Sequence, residues 1–258
     1  MSNQPQASSI QHPTKTSPFK DVSEFEKELK IFANKYKTII SEHSRRISDY
    51  FEMSCYNMMV RYYEHRGYKA MVENEIAGRF RIKCSPSGLI ENFSYMKLVK
   101  DNAIYYLYHN ASVQSAHDTE VFTTPDIVVS KDVKPTMTTN YYKTKKKFSY
   151  LHNSDMITFC EAKHQPPFPE LMINFIGIVN ELKPDCLKTE GILGEETDHI
   201  APSLMMSGIF SKPTEKIAKS LERRYYVNML GDLFSEPYKK TFSVTGVFEM
   251  ATLGKKKG

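Results

Sequence analysis

Two short apolar runs that stop on charge constrain this chain more than anything else in it. Residues 121–129 read VFTTPDIVV and residues 156–164 read MITFCEAKH. MITFC has the length and density of a strand buried on both faces. Pro125 has no N–H to give a ladder, so it belongs at a strand's start and not inside one. Asp126 therefore opens one strand, while Glu161 and Lys163 close the other. The latter two are two residues apart and so share a strand face. Carboxylates at the ends of neighbouring strands repel each other and resist burial, and the fold must answer that cost.

The remaining pattern puts helices around such strands. Ser23 and Glu26 form a capping box ahead of Phe25, Leu29, Phe32, Tyr36, Ile39 and Ile40, which recur at helical steps. A second helix is predicted over about 44–64, with Ile47, Phe51, Cys55, Met58, Met59 and Tyr62 on one face and Gly67 as its C′ glycine. YKAMVENEI (68–76) reads as a strand, and GRFRIKC and NAIYYLYHNASV as further strands in a hairpin or inserted β segment. Residues 118–132 read as one long extended stretch, in which Asp118, Glu120, Phe122, Thr124 and Asp126 share one parity and so one face. The polar residues 131–154 read as a loop. PELMINFIGIVNELK is predicted helical, APSLMMSGIFS a strand, KPTEKIAKSLERRYY a helix and KTFSVTGVFEM a last strand. Alternating strands and helices through the middle place the chain in the α/β class.

Four divisions follow. Residues 1–20, rich in Gln, Ser, Pro and Thr, predict a mobile arm. Residues 21–66 supply N-terminal helices, 67–251 the main domain and 252–258 a basic tail. A length of 258 residues is ample for a buried core. Lys and Arg total 35 against 30 Asp and Glu, a net charge of +5 that suits a polyanionic partner without requiring one. Cys55, Cys84, Cys160 and Cys186 are too scattered for a zinc knuckle or a disulfide framework. No leader pattern and no run of about 18 apolar residues stands out. The expectation is a cytoplasmic protein with no membrane partner.

Asp126, Glu161 and Lys163 carry the chemical reading. A divalent cation between two carboxylates removes their repulsion, and Mg²⁺ is typically held by one or two carboxylates with water and phosphate oxygens completing the shell. A lysine on the same strand face can orient water or steady phosphate charge. Together these are the minimum for metal-assisted phosphodiester hydrolysis.

Pro125-Asp126 and Glu161-Ala162-Lys163, each on a short apolar strand, with a helix ending at RYYEHRGY before them and a helix and strand after, resemble the PD-(D/E)XK, or restriction-endonuclease-like, nuclease superfamily. The resemblance implies an αβββαβ core over about 44–211, with the N-terminal helices as an extension and the segment between Ile76 and Glu120 inserted. It implies a Mg²⁺- or Mn²⁺-dependent nuclease acting on DNA ahead of RNA, in bacterial defence or DNA processing, and working as a homodimer. Asp126 and Glu161 would bind the metal and Lys163 would assist the water. The family often adds a glutamate from the first helix, for which Glu52 is the first choice, Glu75 the second, with Glu64 and Glu73 in the same region. Some members place a glutamine soon after the lysine, and Gln165 stands there.

Lys143, Lys145, Lys146 and Lys147 fall between the two motif strands, interleaved with Tyr141, Tyr142, Phe148 and Tyr150. Cations among aromatics suit phosphate contact and base stacking, and the plainer reading is a solvated loop. The plainer readings of the motif are a turn aspartate after Pro125 and a surface Glu161–Lys163 pair contributing at most about 1 kcal/mol. His65, His109, His117, His152 and His199 read as scattered structural residues. Two other functional classes stay open: a nuclease fold without catalysis that serves as a binding subunit, and a helical interaction protein built on the N-terminal helices.

Overall fold

The computed structural model describes residues 47–139, 146–188 and 198–233, together with Asn34. Helix α1 spans Ile47–His65, and strands β1 (Lys69–Glu73), β2 (Tyr95–Lys100) and β3 (Ala103–His109) follow it. Two short strands, β4 (Val113–Gln114) and β5 (Phe122–Thr123), lead to β6 (Ile127–Lys131). A hairpin of β7 (Thr136–Thr138) and β8 (Phe148–Tyr150) precedes β9 (Met156–Lys163). Then come α2 (Pro169–Leu182), β10 (Ser203–Met206), α3 (Lys212–Arg224) and β11 (Asn228–Leu230).

Seven strands form one sheet in the order β1-β2-β3-β6-β9-β10-β11. The pairings from β1 to β9 are antiparallel, and β9-β10 and β10-β11 are parallel. Parallel neighbours need a crossover, which α2 and α3 provide. The protein is thus mixed α/β with a mostly antiparallel central sheet and three described helices.

Strand periodicity sorts the core into two layers. Ile127 and Val129 pack with α1, while Val128 between them packs with α2 and α3 on the other face. Phe51, Met53, Cys55, Tyr56, Met58, Met59, Val60, Tyr62 and Tyr63 of α1 are all buried, nearly all round the helix. The sheet covers one side, and Phe80, Ile82, Ile200 and Leu233 join the same cluster. The helix ends as its glycine predicts. Gly67 has φ +88, Tyr68 N–H donates to Tyr63 O, and Gly67 N–H donates to Glu64 O. These two bonds make a Schellman motif. Ser211 caps α3, its Oγ accepting from Thr214 N–H.

Several expectations need correction. GRFRIKC forms no strand, and only Arg79 makes an isolated bridge, to Ile76. The strand lies further on, in SYMKLVK. Residues 118–126 are not one extended run, because the chain turns where Val121 N–H meets Asp118 O and pairs only through β5. Glu120 and Asp126 therefore do not share a strand face. Residues 131–154 contain a hairpin instead of a plain loop. Strand β11 went unread. The predicted arm, the last strand and the basic tail lie outside the described residues, as does the helix over 23–40 apart from Asn34, which is helical. None of the described helices is long and apolar enough to cross a membrane.

Candidate functional site

The register brings the two motifs together. Ile127 lies opposite Cys160, so one further step sets Asp126 opposite Glu161. Both are almost fully buried, at 7% and 6% exposure. Asp126 Oδ2 accepts the Ala162 backbone N–H at 2.7 Å and a Lys163 ammonium hydrogen at 3.0 Å. Lys163 Nζ is also 2.8 Å from Glu161 Oε2. One cation thus bridges two carboxylates at the end of the β6–β9 ladder. The backbone of Asp126 is itself fixed, since Asn110 N–H donates to the Asp126 carbonyl at 2.8 Å.

The electrostatics follow from crowding. Burial, and then the charge of Asp126, lift Glu161 well above the ordinary carboxylate range. Burial opposes charge on Lys163, but Glu161 and Asp126 outweigh it and hold its pKa above the ordinary lysine value. Glu52 on α1 is also lifted, by burial and then by Asp126. Of the proposed first-helix glutamates, Glu52 is the one that senses the site. Glu64, twelve residues on, lies about 18 Å along the helix. Glu75 is exposed beyond the end of β1. That strand stands three positions from β6, about 14 Å at ordinary strand spacing. Strand order thus does not set Glu75 beside Asp126 as it does Glu161.

Gln165 sits in the turn after β9, where its N–H donates to Lys163 O and its carbonyl accepts from Gly208 N–H. This backbone role fixes the exit of the motif strand. Lys146 and Lys147 are exposed at the base of the loop joining β7 and β8, and Lys143 and Lys145 lie outside the described residues. His164 packs its ring near Phe51 and its Nδ1 lies 2.9 Å from Ser207 Oγ.

His109, expected to be a scattered structural histidine, and Asn110, which no motif singles out, lie at the same site. Asn110 Nδ2 lies 3.4 Å from Glu52 Oε2, and His109 Nε2 lies 3.9 Å from the same oxygen. The signal was present in the sequence: IYYLYHN is a third apolar run stopping on polar residues, at a strand end that the register sets beside Asp126.

Two buried carboxylates and a third half-buried one are hard oxygen donors of the kind that hold Mg²⁺ with water and phosphate. The donor set fits such a cation, although among the described residues no three His, Cys, Asp or Glu side chains already converge on one point. Comparison with protein-family models, with curated proteins and with solved structures finds no match.

Proposed function

We propose that the chain is a metal-dependent nuclease of the restriction-endonuclease-like fold that hydrolyses phosphodiester bonds in DNA. The observation that carries this reading is the convergence of Asp126, Glu161 and Lys163 within 3.0 Å contacts at one sheet end. The run β6, β9, α2, β10 behind α1, with β9 and β10 parallel, supports the αβββαβ core that the motif implies, but the strand beside β6 is β3, from the segment expected to be inserted, and β1 of residues 69–73 stands at the sheet edge instead.

Asp126 and Glu161 would hold Mg²⁺ or Mn²⁺. When bound, such a cation polarises a phosphoryl oxygen and acidifies water. Lys163, kept charged by its two partners, is placed to steady negative charge on the phosphate or to orient the attacking water.

A catalytically silent binding subunit is the second reading, and it is favoured by the lack, among the described residues, of a ready-made three-ligand cluster. Incubation of the purified chain with plasmid and linear DNA, in Mg²⁺, Mn²⁺ or EDTA, separates the two. Cation-dependent cleavage supports the nuclease. DNA binding without cleavage in either cation supports the silent subunit.

A further inference from the structure

His109 closes β3 next to Asn110, whose N–H holds the Asp126 carbonyl, and is 4% exposed. Its Nδ1 lies 2.5 Å from the Lys83 carbonyl oxygen. A carbonyl only accepts, so the single proton of the neutral ring sits on Nδ1. Asn110 Nδ2 also approaches Nδ1, at 3.2 Å, but its two hydrogens are used by Lys83 O at 3.0 Å and Glu52 Oε2 at 3.4 Å. Nε2 is therefore a bare lone pair. It is buried with no hydrogen-bond partner, and it faces Glu52 Oε2 at 3.9 Å.

A histidine that gives one N–H to a backbone carbonyl and keeps its other nitrogen bare has the arrangement found in metal-ligating histidines. The distance also fits. Two donors each about 2.0–2.2 Å from one cation lie at most about 4.4 Å apart, and 3.9 Å falls inside that limit.

We propose that His109 Nε2 and Glu52 Oε2 form a subsite for a divalent first-row transition metal beside the Asp126–Glu161 pair. Water and substrate oxygens complete its shell. The imidazole gives this subsite a preference for transition metals over Mg²⁺, whose choice is all-oxygen coordination. The inference rests on the metal half of the nuclease reading, and binding measurements keep the two separable. A chain that binds metal through His109 without cleaving DNA retains this subsite and loses the nuclease. A chain that cleaves with Mg²⁺ and shows no nitrogen coordination does the reverse.

The test is calorimetric titration of Co²⁺, and separately Mg²⁺, into the full chain and into His109→Gln and Glu52→Gln. Co²⁺ affinity is expected to fall about tenfold or more in both variants, on the scale of losing a metal-site contact. Mg²⁺ affinity in His109→Gln should move by less than about threefold, since Mg²⁺ draws little from nitrogen. Equal Co²⁺ affinity in the wild type and a folded His109→Gln overturns the subsite, as does failure of the wild type to bind Co²⁺. Where His109→Gln does not fold, Mn²⁺ bound to the wild type answers by electron spin-echo spectroscopy. Imidazole nitrogen modulation that disappears in Glu52→Gln supports the proposal, and its absence from the wild type overturns it.

Discussion

Asp126 accepts a buried backbone hydrogen from Ala162 and an ammonium hydrogen from Lys163 through a single oxygen. This sets what its replacement does. Asp126→Ala strands the Ala162 N–H and should lower stability by about 1–3 kcal/mol, the cost of an unsatisfied buried donor. Asp126→Asn keeps an acceptor and should lose less, with both variants losing cleavage. Thermal unfolding of the pair beside the wild type checks the difference, and equal losses would mean that the Ala162 contact does not matter. Lys163→Ala should cut turnover by about a hundredfold, as losing one electrostatic donor does, while DNA affinity changes far less. Normal turnover at saturating DNA in that variant would reduce Lys163 to a phosphate contact. For Glu161, burial and Asp126 raise the folded pKa above its unfolded value. Below the unfolded carboxyl range both states carry the proton. As pH rises from there, the unfolded state releases it first, and stability falls until the folded group has titrated. His109 and His199, held down to about 4, push the other way as pH rises from about 4 toward their ordinary value. The Glu161 share is therefore read from a difference. Between pH 5 and 8 without metal, Glu161→Gln should gain melting temperature relative to the wild type. A constant gap across that range contradicts the shift.

At the scale of elements, the strand that carries Glu161 and Lys163 is irregularly paired at one end and tied by a tight turn at the other. A register shift between Val129 and Ser130 marks the β6–β9 ladder away from the site. At the site end, Gly208 lies so close to the turn that an added Cβ would stand 2.4 Å from Pro166 Cα. Gly208→Ala must push the 165–166 turn outward and should cost about 1–3 kcal/mol, the range for overpacking. Cleavage should fall with it, because Gln165 N–H is tied to Lys163 O. Unchanged melting temperature and unchanged cleavage would show that the turn yields freely. The same scale shows what the sequence made legible. α1 announced itself through helical spacing and Gly67, α2 and α3 through their first-turn prolines, and β6 and β9 through apolar runs. β2 was hidden because SYMKLVK alternates only weakly, and GRFRIKC drew the strand assignment by its own alternation. β4 and β5 are two residues each, too short for any periodicity. The Asp126–Glu161–Lys163 cluster was readable from motif and strand ends. His109 reads as a scattered structural histidine in the sequence, because its nearness to Glu52 and Asp126 depends on the strand order that sets β3 beside β6.

At the scale of the whole molecule, a net charge of +5 gives nonspecific attraction to a polyanion, and the lysines of residues 143–147 are its densest stretch. If they meet phosphates, changing Lys143, Lys145, Lys146 and Lys147 to Ala should flatten the slope of log affinity against log salt by about 0.9 per lost contact on duplex DNA. Metal binding at Asp126 and Glu161 should stay near wild type, since exposed charges are screened beyond about 10 Å at 0.1 M salt. Anisotropy titrations across several salt concentrations check this, and an identical slope in the two proteins would move the DNA track elsewhere. The layered sheet with α1 on one face and α2 and α3 on the other puts all of this chemistry at one end, where β3, β6 and β9 bring His109, Asp126, Glu161 and Lys163 together. The most direct test of the account is single-turnover cleavage of DNA by the wild type and by Glu161→Gln, in Mg²⁺ and in EDTA. The account predicts cleavage by the wild type in Mg²⁺ alone and none by folded Glu161→Gln in either condition. Cleavage that survives in Glu161→Gln, or that proceeds in EDTA, would contradict it.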